Sequence, residues 1–284
     1  MKRILVLIAL SIVSLFAFSH EGVSESKANE MISSSTCAVK NNAFSIGEIG
    51  TYKIYYTWKP FWIGAGEVTF KIRPSRVNGK YCYRVTALGK SYSTFDWFYK
   101  VRDVYETYID TATMLPVKFV RDVYEGGYTI YNNYEFDHTT NKVKSVKEDF
   151  KTKRFEKTYD IKSCSQDVIS AIYMARNLDF SKMKVNDIVP IDIFLDEKPY
   201  EVYIRYVGKE TIDTEFGDMR CIMFKPLLLD GNMFSGGETM TVYVSDDMNR
   251  LPIYIESGIR VGSVRAKLIS YEGLRNPLTA KVDD

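Results

Sequence analysis

The sequence predicts a mainly β protein: two related antiparallel curved sheets or half-barrels with one amphipathic helix (about 165–179) between them. Three observations carry this. From Phe44 onward apolar and polar residues alternate with period two, the pattern of strands buried on one face. Turn chemistry recurs between the alternating runs, as at Asn78-Gly79, where both residues tolerate the positive φ of a type I′ hairpin. A single stretch, after Cys164, shows apolar residues at helical spacing instead.

The first alternating run places Tyr52, Ile54, Tyr56 and Trp58 on one face, against Lys53, Tyr55 and Thr57. Val68, Phe70 and Ile72 follow in the same manner, and Asn78-Gly79 joins that strand to one opening at Tyr81. Further strands are expected over 101–109, 116–124, 128–136, 142–150 and 154–161. Ser165-Gln166-Asp167 supplies the cap of a helix whose stripe is Val168, Ile169, Ile172, Ala175 and Leu178. Alternation resumes with Val202, Ile204 and Tyr206, then Met240, Val242 and Val244, then Val264, Ala266 and Leu268. The 21 tyrosines suit half-exposed pleated surfaces, where a ring packs and its hydroxyl meets water.

The two halves (44–161 and 188–275) resemble each other. Asp110 followed by Leu115-Pro116 matches Asp246-Asp247 followed by Leu251-Pro252, each entering a strand with a β-branched residue. Upstream, Gly79 precedes Cys82 and Gly217 precedes Cys221 in the same order. The Asp residues read as turn formers that bind the backbone two residues on. One β-rich domain over 44–275 is expected, with residues 276–284 as a loose tail.

The amino terminus reads as an export signal. Lys2 and Arg3 precede an apolar run from Ile4 to Phe18, and Ala17-Phe18-Ser19 puts small residues at −3 and −1 of a cut before His20. That run spans 15 residues, fewer than the roughly 20 a membrane-spanning helix needs. The nearest cysteine is Cys37, so the cut lacks the residue that lipid anchoring requires. The expectation is a signal peptide over 1–19, a flexible polar leader over 20–43, and a protein released into the periplasm without a membrane span or lipid anchor. Of the 38 Lys and Arg, Lys2 and Arg3 leave with the signal, so 36 face 36 Asp and Glu. A neutral chain without polybasic runs argues against nucleic-acid binding, which draws on phosphate neutralisation. Cys37, Cys82, Cys164 and Cys221 allow two disulfides in three connectivities, with Cys82 and Cys221 equally readable as buried free thiols.

Catalytic, metal and cofactor signatures are absent from the motif inventory. His20 and His138 are the histidines, and neither lies in an HExxH or GxSxG context. Gly64-Ala65-Gly66 and Gly126-Gly127 read as hairpin turns without the strand–loop–helix setting of a phosphate loop. Ligand-binding candidates are instead aromatic: Trp58, Phe61 and Trp62 at one turn, Phe95, Trp97 and Phe98 in a second dense stretch, and Phe234 in a Gly-flanked loop. Such rings line an apolar pocket or plug the end of a barrel.

The order of these motifs resembles a bacterial exported family catalogued as domain of unknown function 3108. The pieces that carry the resemblance are Gly47-Glu48, Ala65-Gly66-Glu67, Asp110 with Leu115-Pro116, the Asp167-to-Ala171 helix start, Val207-Gly208-Lys209-Glu210-Thr211-Ile212, and Ser245-Asp246-Asp247 with Leu251-Pro252. The resemblance spans about residues 44–272 and implies export and a β-rich fold, with no activity to carry over. More loosely, a curved antiparallel sheet packed on a helix is similar to periplasmic lipoprotein carriers, which hold acyl chains in an unclosed barrel. The leading expectation is a non-enzymatic binder or carrier of an apolar or amphipathic cell-envelope ligand such as a lipid. The alternatives are an assembly module with an envelope protein partner in envelope or surface-polysaccharide machinery, and a hydrolase built on paired carboxylates.

Overall fold

The computed structural model describes residues 37–58, 61–150, 153–230, 235–259 and 262–282. The first half runs β1 (Ile49–Trp58), β2 (Phe61–Val77), β3 (Lys80–Ser91), a short helix α1 (Ser93–Tyr99), β4 (Val101–Asp110), β5 (Pro116–Glu125), β6 (Tyr128–Asp137), β7 (Lys142–Asp149) and β8 (Phe155–Asp160). Helix α2 (Val168–Ala175) follows, with a 3₁₀ turn at Phe180–Lys182. The second half contains β9 (Ile188–Leu195), β10 (Lys198–Thr214), β11 (Gly217–Pro226), the ribbon β12 (Leu228–Asp230) and β13 (Ser235–Gly237), then β14 (Met240–Ser245), β15 (Pro252–Gly258) and β16 (Ser263–Glu272).

All the long strands join one antiparallel sheet of 14 strands, ordered β8-β7-β6-β5-β4-β3-β2-β1-β16-β15-β14-β11-β10-β9. The halves are therefore one continuous curved sheet. Their seam is the β1–β16 pair, running from Ile49↔Glu272 to Tyr56↔Val264. This pairing links chain segments more than two hundred residues apart, so local pattern carries no sign of it.

The repeat read from turn motifs extends to strand register. Strands β2 and β10 both have 17 residues. Cys82 pairs with Asp110 as Cys221 pairs with Ser245. After an irregularity in each ladder, Ile109 pairs with Pro116 as Val244 pairs with Pro252. The Asp110 amide donates to the Leu115 carbonyl at 2.9 Å, and the Ser245 amide to Leu251 at 2.9 Å. Asp110 accepts the Ala112 amide as a turn-forming Asp should. In the second half Asp247 accepts the Asn249 amide, while Asp246 pairs with Lys209.

Two expectations are corrected. The leader is docked from Cys37 onward: Cys37 forms a disulfide with Cys164, with Cα atoms 5.2 Å apart, and Ala43 and Phe44 are buried in the core. The tail is docked as well. Ala280 is fully buried, Arg220 and Val282 amides bond across to Ala280 and Asp218, and Asn249 clasps Asn276. The leader is held by the disulfide and by the Asn177 side chain, which accepts the Asn42 and Ala43 amides, and the tail by backbone bonds to β11; composition reveals neither. Segment 92–99, read from sequence only as a dense aromatic stretch, contains α1, and Asp96 holds it through Ser91 and Arg102.

Helix α2 is shorter than the predicted 165–179 but begins where the cap predicts. Asp167 Oδ1 accepts the Ile169 and Ser170 amides, and Ser170 Oγ accepts the Asp167 amide, a reciprocal capping box. Thr107 of β4 donates to the other Asp167 oxygen at 2.6 Å, fastening the helix start to the inner face of the sheet. Val168, Ile169 and Tyr173 pack with Phe44, Tyr105 and Phe119 in the core of the first half, and Ala175 faces Ile191, Val202 and Val242 in the second.

The edge strands β8 and β9 do not pair, so the sheet stays open. What approaches the inner face of the first half is the tip of the β9–β10 hairpin. Asp196 and Glu197 adopt φ of 47° and 62°, and their carboxylates bond Arg121, Asn132, Ser145 and Lys147 on β5, β6 and β7. Phe194 packs edge-on against Tyr134 at 5.0 Å.

The disulfide closes a chain separation of 127 residues. Cys164→Ser should cost about 4 kcal/mol of stability, readable in urea unfolding. In native protein no cysteine should react rapidly with a thiol reagent, and in denaturant two should, because Cys82 and Cys221 are buried thiols. Reaction of four thiols would refute the pairing.

Candidate functional site

The aromatic candidates do not converge on a cavity. Phe61 is 68% exposed and Trp97 is 85% exposed, both on the outside. Trp62 lies under the Arg265 guanidinium, 3.6 Å from its ring centre, a cation–π stack on the sheet surface. Phe95 is half-buried on α1. The side chains of Trp58 and Phe98, and residue Phe234, lie outside the described structure. These rings were singled out because density of aromatics is visible in sequence; which way a hairpin tip faces is not.

The cavity lies instead beneath α2. Its larger lobe, of about 140 Å3, is bounded by Ala171, Ile172 and Ala175 of the helix and by Ile191, Val202, Ile204, Phe224, Met240 and Val242 of the sheet. A smaller lobe of about 50 Å3 lies against Tyr52, Ile54, Val68, Phe70 and Ala266 at the β1–β16 seam. Ile172, Arg176, Pro252 and Ile255 border both lobes, so the two form one apolar trough along the helix. Its wall residues on β10 and β14 are the inward members of the period-two pattern. Alternation predicts that they point inward, and only the helix's offset leaves the space between.

A buried ion pair closes one side of this trough. Arg176, directly after α2, donates to both carboxylate oxygens of Glu48, at 2.5 and 3.0 Å, and from Nε to the Asn249 carbonyl at 3.1 Å. Its guanidinium also stands 5.4 Å from the Phe44 ring centre and 5.2 Å from that of Tyr173. Burial opposes the charge on Arg176, and the Glu48 carboxylate more than restores it. The bidentate geometry satisfies both partners, which a charge this deep requires. The pair joins the chain's entry (Glu48), the helix end (Arg176) and the second repeat turn (Asn249). Glu48 belongs to the Gly47-Glu48 motif, the one sequence signal that pointed here.

A second polar cluster sits on the inner face of the first half. Asp103 and Glu125, at inward positions of β4 and β5, are both buried. Burial and mutual repulsion hold the Asp103 carboxyl well above its usual range, and burial raises Glu125 as well. Asp103 Oδ1 accepts the Tyr124 amide at 3.1 Å. Its Oδ2 has no donor among the described residues, and a proton held between the two carboxyls supplies one. This is the raised-pKa carboxylate pair that a hydrolase would need, but neither acid borders the trough. Both were legible as anomalies, since Val101-Asp103-Tyr105 and Val123-Glu125 put acids on apolar faces. His138 is structural: its Nε2 lies 2.9 Å from the Pro116 carbonyl.

The model of the family described as Protein of unknown function (DUF3108) matches residues 51–269, which include the strands walling the trough, the seam and α2. The chain belongs to the DUF3108 family. The comparison with curated proteins gives no match. Among solved structures, a β-barrel-like protein of domain of unknown function DUF1849 from Brucella abortus aligns with a TM-score of 0.55 at 11% identity, over 81% of this chain and 99% of that one. Its likeness to this DUF3108 chain is one of fold. A candidate lipoprotein from Parabacteroides distasonis and a candidate exported protein with a YmcC-like fold from Bacteroides fragilis align at TM-scores of 0.31. They share 12% and 10% identity and cover 83% of this chain each, with 99% and 100% of their own. Among the described residues no helix is long and apolar enough to cross a membrane, and no cluster of metal-ligating side chains occurs.

Arg176→Ala leaves Glu48 charged and alone in the core, and should destabilise the fold by about 3–5 kcal/mol. Equilibrium urea unfolding measures this; a cost under about 1 kcal/mol would show that the pair is not bearing load. The carboxyl pair sets a pH dependence of the opposite sense to ordinary acid denaturation. Folded Asp103 holds a proton, shared with buried Glu125, that the unfolded chain releases near pH 4, so stability is lost as pH rises toward about 9. Between pH 7 and 9, stability should fall by up to about 1.4 kcal/mol per pH unit. Asp103→Asn, neutral throughout, should flatten that slope in thermal melts.

Proposed function

We propose that the protein is an exported, non-enzymatic binder or carrier of an apolar or amphipathic cell-envelope ligand, whose apolar part enters the trough beneath α2. The observation that carries the reading is a space beneath α2 walled mainly by apolar side chains of the helix and the sheet. An apolar cavity of this size stays dry and accepts a hydrocarbon group, since water entering it would find few hydrogen-bond partners. Size narrows the class. About 140 Å3 holds a ring or a short alkyl segment, as a 150 Å3 cavity admits benzene, and falls short of a whole acyl chain. A longer chain requires α2 to lift, and the open β8 and β9 edges leave the curvature free to change.

The periplasm as destination is supported by the signal-like amino terminus and by the Cys37–Cys164 bridge, a bond that persists in oxidising compartments. The assembly reading draws on β8, an edge strand with five of its six residues exposed. Lys157 and Glu156 on that edge are the charges by which native edges discourage pairing, so the carrier reading stands ahead.

Filling the trough tests the proposal. Ala171→Phe places a ring in the larger lobe and should lower affinity for an apolar fluorophore such as N-phenyl-1-naphthylamine by about ten-fold, with the melting temperature kept or raised. Native mass spectrometry of gently purified protein should show a bound apolar species in the parent and none in the variant. Equal probe binding by both proteins would remove the trough from the function.

A further inference from the structure

The exposed rings left aside by the trough share one end of the molecule. In an antiparallel sheet successive turns alternate between its two rims, so the β1–β2 turn, α1, the β5–β6 turn and the β7–β8 connection all fall on the same rim. On that rim stand Phe61 beside the first turn, Trp97 on α1, Tyr124 and Tyr128 flanking the third, and Phe150 and Phe155 flanking the fourth, all exposed. The opposite rim, at the β2–β3 and β4–β5 turns, carries Tyr81 as its large exposed ring. Strands about 4.8 Å apart spread the first rim's rings along an arc from β2 to β8. They form a row along the rim, in which Tyr128 and Phe150 are in ring contact at 5.0 Å.

We propose that this rim docks on a lipid bilayer with anionic headgroups, its rings entering the interface while the sheet stands off the surface. Rings at the ends of hairpins suit the headgroup level of a bilayer, where an amphipathic or flat apolar body is stabilised. Exposed cations lie among them: Lys100 beside α1, and Lys153 and Arg154 before β8. Of the rim's acids, Asp96 is matched by Arg102 and Glu156 by Lys144, Glu125 is buried and Asp149 is half-buried, which leaves exposed Glu148 at the end of β7 against these three cations. The cations therefore complement lipid phosphates, each contributing to attraction near a charged surface. A protein partner would call for one continuous apolar patch with a polar border, whereas these rings are dispersed. The trough's wall at Leu227, Leu228 and Met240 lies toward the same rim, which would turn the cavity to the membrane. Docking itself does not depend on the cavity being a ligand site.

Co-flotation of the chain lacking residues 1–19 with vesicles of phosphatidylethanolamine and phosphatidylglycerol tests the proposal. The parent should float with these vesicles. The Phe61→Ala/Trp97→Ala variant, which removes two largely exposed rings, should partition about ten-fold less. Tyr81→Ala on the opposite rim should behave as the parent, and Ala171→Phe should still float, so a failed trough and a failed rim give different results. Melting temperatures near the parent's confirm that each variant is folded. No flotation of the parent, or flotation unchanged by the double variant, overturns the proposal. So does flotation that high salt abolishes and ring removal leaves intact, or cross-linking of position 97 in whole envelopes to a protein and not to lipid.

Discussion

The structure depends on how a sheet with two free edges is kept curled. Hydrogen bonding between β8 and β9 would make a closed barrel; here the turn of β9–β10 performs the closure through side chains. Asp196 and Glu197 enter the first half as a pair of carboxylates and find Arg121, Asn132, Ser145, Lys147 and Tyr134 arranged around them. A buried guanidinium without a partner is heavily penalised, so Arg121 is stable only with Asp196 in place. The curvature of the sheet and the charge balance of its interior are therefore one constraint. Closure by side chains, in place of a ladder, also leaves the edges able to part without breaking backbone pairing along the sheet.

Inside that curl, α2 is held at both ends by polar contacts, while Val168, Ile169 and Tyr173 pack on the first half. Asp167 ties its start to β4, and Arg176 ties its end to Glu48 and the Asn249 turn. The Cys37–Cys164 bridge restrains the approach to it. Fixed at its ends by polar contacts, the helix cannot settle onto the sheet to fill the space beneath its middle. The trough is thus a consequence of anchoring, maintained at a cost of some dispersion energy that a collapsed core would have gained. Its apolar walls and small volume, together with the open edges above, set the class of occupant that it can accept.

Much of the fold was readable locally. The strands at 101–110, 116–125 and 128–137 follow from alternation alone, because a strand with one face buried must place apolar residues at every second position. Asn78-Gly79 and Asp167 did their work within a few residues of themselves. The Leu-Pro turns exposed the repeat because each turn's backbone bonds impose the same residue types twice. The docked leader and tail, α1, and the ion pairs of Arg121 and Arg176 escaped this reading. Each joins residues far apart in the chain, and a lone arginine or glutamate looks the same in sequence whether it meets water or a buried partner. The aromatic clusters were visible but their facing was not: Trp97 and Phe61 have the composition of pocket residues and the position of surface ones.

By itself, then, the sequence determined the β class, most strand limits, the twofold internal plan, the capped helix and the neutral charge expected after signal removal. Those properties rest on interactions within a turn or a strand pair, whose requirements appear as residue types at fixed spacing. The tertiary structure decided that the halves share one sheet, that Cys37 meets Cys164, that a hairpin tip closes the curl, and that the empty space lies under α2 and away from the aromatic turns. These rest on contacts between distant segments, where geometry chooses among chemically equivalent partners and a one-dimensional pattern carries no preference.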